Sequence, residues 1–152
     1  MAPIVTSAEI DRPAADVFAY ATDPARFSEW QQGVVDGHME GPCDAVGARC
    51  MTTRRIGGAN RSSTSELVHS DPPRTWRVEG LDGPVRAAVD VLVESVTDAR
   101  SRLTISVDFI GHGIGKVLVP LMVRPEARKE MPDNMAALKR RLEASQDRHA
   151  AD

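Results

Sequence analysis

Two periodicities meet in this chain, and their order constrains the fold more than any single motif does. From Gln31 to Phe109 apolar residues recur at every second position, and from Lys116 to Ser145 they recur every three or four. The clearest alternations are Val85, Ala87, Val89, Val91 and Val93, then Leu103, Ile105, Val107 and Phe109, separated mostly by polar residues such as Arg86, Asp90, Arg102 and Thr104. Side chains alternate across a strand, so segments of this kind bury one face and predict an antiparallel sheet. Turn chemistry at Gly41-Pro42, Gly57-Gly58, Asp71-Pro72-Pro73, Asp82-Gly83-Pro84 and Thr97-Asp98 divides the region into six strands.

The closing segment would span ~45 Å as one helix, enough to cross a whole sheet. Met131, Met135, Leu138 and Leu142 form its apolar stripe, and Val117, Leu118, Leu121 and Met122 supply an apolar face one register earlier. Pro125, the charged run Glu126 to Glu130 and Pro132 predict a kink or a change of packing depth between them. Ahead of the sheet, Ile4–Ile10 is rich in β-branched residues and reads as a strand. Pro13 then opens a short helix to Tyr20, and Thr22 or Asp23 caps a second one, with Pro24 at its first position, running to about Trp30. The order is α+β: one strand, two short helices, six strands and a long helix that alone can cover the apolar face of a seven-stranded sheet. A curved sheet wrapped around that helix leaves space between them for a ligand.

Length and charge narrow the function. A chain of 152 residues fits one domain, taken as residues 1–146 with a disordered tail at 147–152. A net charge of −3, with 41% hydrophobic and 27% charged residues, gives no reason to expect nucleic acid or an anionic membrane as partner. No apolar run approaches the ~18 residues of a membrane span, so no stable membrane insertion is expected. The N-terminus lacks a signal-peptide pattern, which predicts a cytoplasmic location. Cys43 and Cys50 read as reduced thiols, and the sequence carries no indication of oligomeric state.

Six stretches in order, IDRPAADVF (Ile10–Phe18), TDPARFSEW (Thr22–Trp30), VGAR (Val46–Arg49), DPPR (Asp71–Arg74), GHGIGK (Gly111–Lys116) and LKRRLE (Leu138–Glu143), resemble the polyketide cyclase/dehydrase and lipid-transport family. That family lies within the START-like, helix-grip superfamily known as SRPBCC. The resemblance implies a curved sheet gripping the C-terminal helix and a hydrophobic ligand. Its members include binders, transporters and some enzymes, and fold analogy does not choose among them.

Each candidate residue carries two readings. GHGIGK invites comparison with a phosphate loop, but three residues rather than four precede Gly115-Lys116 and Val117 follows, so nucleotide binding is not expected and no cofactor is implied. Its glycines read instead as a sharp turn into the helix, with at least one at positive φ. His112 in that turn reads as an acid or base at a cavity mouth, or as a bracing loop residue. The histidines are scattered, so no metal set is predicted. Trp30 either plugs the sheet or lines the cavity entrance, and if buried, the sole tyrosine, Tyr20, needs a hydrogen-bond partner.

Period two in Gly47–Ile56 puts Ala48, Cys50, Thr52 and Arg54 on one face. If that face points inward, Arg54 requires Asp90 or a ligand carboxylate as partner, and otherwise it is a surface arginine. The remaining lining candidates are Trp76 and Val78, then Val89, Val91, Ile105, Val107 and Phe109 on the sheet, with Leu118, Met122 and Met135 on the helix. Methionines at helical spacing suit either a ligand surface or plain core.

The first expectation for function is binding or carriage of a small lipid- or polyketide-like molecule. The alternatives are a cyclase or dehydratase using Arg54, His69, Asp90 or His112, and a protein-interaction or regulatory domain.

Overall fold

The computed structural model describes residues 2–41, 45–56 and 58–151. Seven antiparallel strands follow the expected order: β1 (Ile4–Ile10), β2 (Val34–Glu40), β3 (Arg49–Ile56), β4 (Ala59–Asp71), β5 (Thr75–Gly80), β6 (Val85–Thr97) and β7 (Arg100–Gly111). They are arranged β1-β7-β6-β5-β4-β3-β2 across an open sheet. Cys43 lies outside the described residues.

Between β1 and β2, Pro13 caps α1 (Ala14–Ala21), which buries Val17, Phe18 and Ala21. The second short helix, Pro24–Glu29, is a 3-10 helix; the Asp23 carboxylate accepts from the Ala25 N–H at 3.0 Å to start it, and the Trp30 N–H donates to the Phe27 carbonyl to end it. Tyr20 finds its partner here: its hydroxyl donates to Glu29 at 3.0 Å, and burial, helped by that carboxylate, pushes its pKa up to about 12.

The long helix is one rod with an irregular joint. It runs through α2 (Gly115–Leu118), a π-helical turn (Val119–Val123) and α3 (Arg124–Ala151). Pro120 sits in that turn, where it has no N–H to give and its ring crowds the carbonyl four residues back; the Arg124 N–H instead reaches Val119, five residues back. The break therefore falls before Pro125, while Pro132 lies within α3. The extra residue in the turn rotates everything beyond it by roughly 100° relative to an uninterrupted helix. Met131, Met135, Leu138 and Leu142 face the sheet as expected, but Val117, Leu121 and Met122 point to solvent, at 56%, 70% and 64% exposure. Val119 is buried in place of Val117 and Leu121; the expected inward position of Met122 is corrected too, because nine residues at about 100° each already set it opposite Met131.

Gly113 has φ +61, as the turn into α2 requires, and Gly115 lies so close to Pro84 that a Cβ would stand 1.7 Å from its carbonyl oxygen. The sheet's register agrees with the expected faces: Leu103, Ile105, Val91 and Val93 are buried, and Arg102 is exposed. Both edges of the sheet reach α3 although five strands lie between them. On the β1 side Lys139 donates to the Glu9 carbonyl at 2.6 Å and Arg12 to the Leu142 carbonyl at 2.8 Å. Just ahead of β2, the N–H groups of Gln32 and Gly33 donate to Asn134 and Glu130 at 3.2 and 3.3 Å. One helix bonded from both edges requires the sheet to curl around it.

Candidate functional site

The concave face is closely packed over most of one end and incompletely covered at the other. Inward residues form transverse rows fixed by strand register. Val93 and Leu103 make one row, Trp76, Val91 and Ile105 the next, and all five are buried. The following row crosses from Leu67 and Val78, both buried, to Val89, Val107 and Ile4, all only partly buried. In the last row, Ala87 and Phe109 are again partly covered, as are Ser65 and Gly80 on the neighbouring strands. Burial thus falls along β6 and β7 toward the turn into α2. The lining also changes character across the sheet, from Val89, Val107 and Phe109 on β6 and β7 to Thr52, Ser63 and Ser65 on β3 and β4. The Thr52 and Ser63 hydroxyls share a hydrogen bond at 3.1 Å, which satisfies them against each other.

At the β3 end of this groove stands Arg54, half-buried and on the inward face with Cys50 and Thr52. Its guanidinium donates to Gln31 Oε1 at 2.8 Å. Burial lowers its pKa, and the Glu130 carboxylate works in the opposite direction. Glu130 is in turn held by the Gly33 N–H, and Asn134, buried one helical turn later, accepts from Gln32. Burial also raises the Cys50 thiol to about 11, so it remains neutral at physiological pH. Trp30 is buried, with its ring edge-on to Phe27 at 5.7 Å, and serves as a plug. Its Nε1 has no acceptor among the described residues.

The other polar candidates do not converge. Asp90 lies on the opposite face of the sheet, bonded to Arg77, so it is not the partner of Arg54; period two places it one residue out of phase with Val89 and Val91. His69 is exposed, sharing a 2.7 Å hydrogen bond with Thr75 beyond a register shift in β4. His112 is exposed in the turn, where its backbone N–H bonds Pro84. Met135 is core, Leu118 is half-buried, and Met122 faces outward.

Glu130, Asn134, Gln31 and Gly33 were not singled out from the sequence. A signal existed for two of them, because Glu130 and Asn134 are four residues apart and flank the Met131–Met135–Leu138 stripe. Gln31 and Gly33 lie in a loop whose position only the curled sheet defines.

Two of the clefts among the described residues are as follows. One, of about 270 Å3, opens between α1, the 3-10 helix and the sheet beside Phe18, Pro24, Met39 and Trp76. The other, of about 380 Å3, is a polar groove outside α3 between Glu29 and Arg140. Trp76 therefore borders the first cleft.

A family model described as polyketide cyclase / dehydrase and lipid transport matches residues 1–143. A comparison with curated proteins gives no match. Among solved structures, a START superfamily protein from Mycobacterium smegmatis superposes with a TM-score of 0.76 at 11% identity, covering 95% of this chain and 99% of that one. An aromatase/cyclase, Zhui, from Streptomyces sp. R1128 gives a TM-score of 0.76 at 13% identity over 93% of each chain. The di-domain aromatase/cyclase BexL of the BE-7585A biosynthetic pathway gives 0.71 at 17% identity. Its match covers 92% of this chain and 46% of that one, so this chain spans about half of BexL.

Proposed function

The chain belongs to the polyketide cyclase/dehydrase and lipid-transport family, and on that premise we propose that it binds and carries a small hydrophobic molecule between the concave sheet and the long helix. The observation that carries this reading is the partial exposure of inward residues Val89, Val107 and Phe109, on strands whose next inward residues toward α1 are buried. Apolar side chains pointing inward yet left accessible gain by covering their surface, at ~25 cal/mol per Å2. A ligand would complete a core that the protein's own side chains leave unfinished.

A cyclase or dehydratase would use the same groove, with Arg54 and Glu130 as the groups able to polarise an oxygen and accept a proton. Binding is favoured over catalysis because His69, Asp90 and His112 lie away from this pair. Native mass spectrometry of the purified protein, followed by denaturing extraction, tests the proposal. A co-purifying apolar molecule, displaced by substituting Val107 with Trp, is the expected result. A chain that releases nothing and binds no lipid-like or polycyclic compound in fluorescence titration would overturn it.

A further inference from the structure

Gly33 is a glycine that its backbone does not demand. Of the other described glycines, Gly41, Gly47, Gly58, Gly83 and Gly113 adopt positive φ, and at Gly37, Gly80, Gly111 and Gly115 a Cβ would stand 3.1 Å or less from a neighbouring atom. At Gly33 neither applies. A Cβ there would meet only Glu130 Oε1 at 3.6 Å and Arg54 Nη1 at 3.7 Å, both ordinary contact distances. The missing side chain therefore leaves a slot with a carboxylate on one wall and a guanidinium on the other.

Both walls are held in place. The Gly33 N–H donates to Glu130 Oε1, and Arg54 donates through Nη2 to Gln31. Among the described residues Gln31 is the one side-chain acceptor of Arg54, and Glu130 acts on it through its charge. A guanidinium has five N–H donors, so donors remain for something placed in the slot. The Glu130 carboxylate likewise keeps lone pairs to offer.

On the premise that the groove binds an apolar molecule, we propose that the Gly33 slot is a subsite for a neutral hydroxyl group of that ligand, phenolic or alcoholic. A hydroxyl both accepts and donates, so one oxygen can take a hydrogen bond from Arg54 and give one to Glu130. A carboxylate would gain Arg54 but face the like charge of Glu130, and a ketone would leave the carboxylate unanswered. The two walls sum to zero charge, which suits a neutral ligand. Its apolar body then extends along Val89, Val107 and Phe109, while its hydroxyl is fixed at the β3 edge.

Calorimetric titration with 1-naphthol, 1-methylnaphthalene and 1-naphthoate at neutral pH tests this. The wild type is expected to bind the naphthol about tenfold or more tightly than either other probe, because a site built for a hydroxyl leaves its own polar groups unpaired without one. Gly33→Ala, which fits without a clash, should abolish that preference while methylnaphthalene affinity is retained. Glu130→Gln should move the preference toward naphthoate by removing the opposing charge, and thermal melts verify folding of both variants. Equal affinity for the three probes in the wild type would overturn the slot and leave the groove standing, and so would naphthoate binding tightest. No binding of any probe would overturn groove and slot together.

Discussion

The two ends of the concave face are built from the same strands and do opposite work. Toward α1, Val93, Leu103, Leu138, Leu142 and Ile10 are buried against one another; toward α2, Val89, Val107 and Phe109 point the same way and remain partly uncovered. Identical alternation on β6 and β7 thus yields a finished core and an unfinished one. The difference lies in what faces the strands. α1 and the 3-10 helix cover the first end apart from the cleft beside Phe18 and Trp76, whereas the π-turn directs Val117 and Leu121 away from the second. Stability is expected to reside at the closed end and ligand affinity at the open one.

The largest expected effect is on stability. Leu138→Ala should cost about 2–5 kcal/mol in urea unfolding, because the fully buried side chain leaves a cavity, whereas Val89→Ala should cost about 1 kcal/mol or less. Equal losses would erase the contrast between the two ends. Next, Val107→Trp should fill the open end, reducing affinity for apolar probes about tenfold with less than ~1 kcal/mol lost in stability. Placed at the packed Leu103, the same indole should cost about 1–3 kcal/mol through overpacking.

Cys50 sharpens the boundary from the inside. With its pKa raised by burial to about 11, its peptide should alkylate far more slowly at mildly basic pH in the native protein than in urea. Rapid native labelling would move the boundary of the closed region past β3.

A smaller effect concerns the clasp at β1. Hydrogen bonding from Arg102, with the charge of Arg100, holds the Glu9 carboxyl below its usual pKa. Its folded pKa is depressed, so its stabilisation is present above the unfolded value of 4.5 and is lost as pH falls through the folded value. Glu9→Gln should therefore remove a small stabilisation at neutral pH and so flatten the acid limb, leaving stability below the folded value nearly unchanged. The smallest effect is expected at the outward stripe, where Met122→Lys should leave stability within about 0.5 kcal/mol and ligand affinity unaltered. A marked loss of affinity would bring Met122 back to the ligand.

Alternation of apolar and polar residues was enough to specify seven strands and their faces, because period two leaves only one way to bury Val91, Val93, Leu103 and Ile105 together. It also put Cys50, Thr52 and Arg54 on one face without deciding that the face points inward, and set the Met131-to-Leu142 stripe toward the sheet. Helical extrapolation failed across Pro120, since an extra residue in one turn rotates every later position, and a hydrophobic pattern does not record that residue. The groove's polar end was equally hidden: Arg54, Glu130 and Gly33 are brought together from strand, helix and loop by the curl of the sheet. Periodicity acts between neighbours a turn or a strand step apart, so it determined which face each element buries. Which residues meet across the fold depends on how curvature and helix joints add up over the whole chain, and only the tertiary structure decided that.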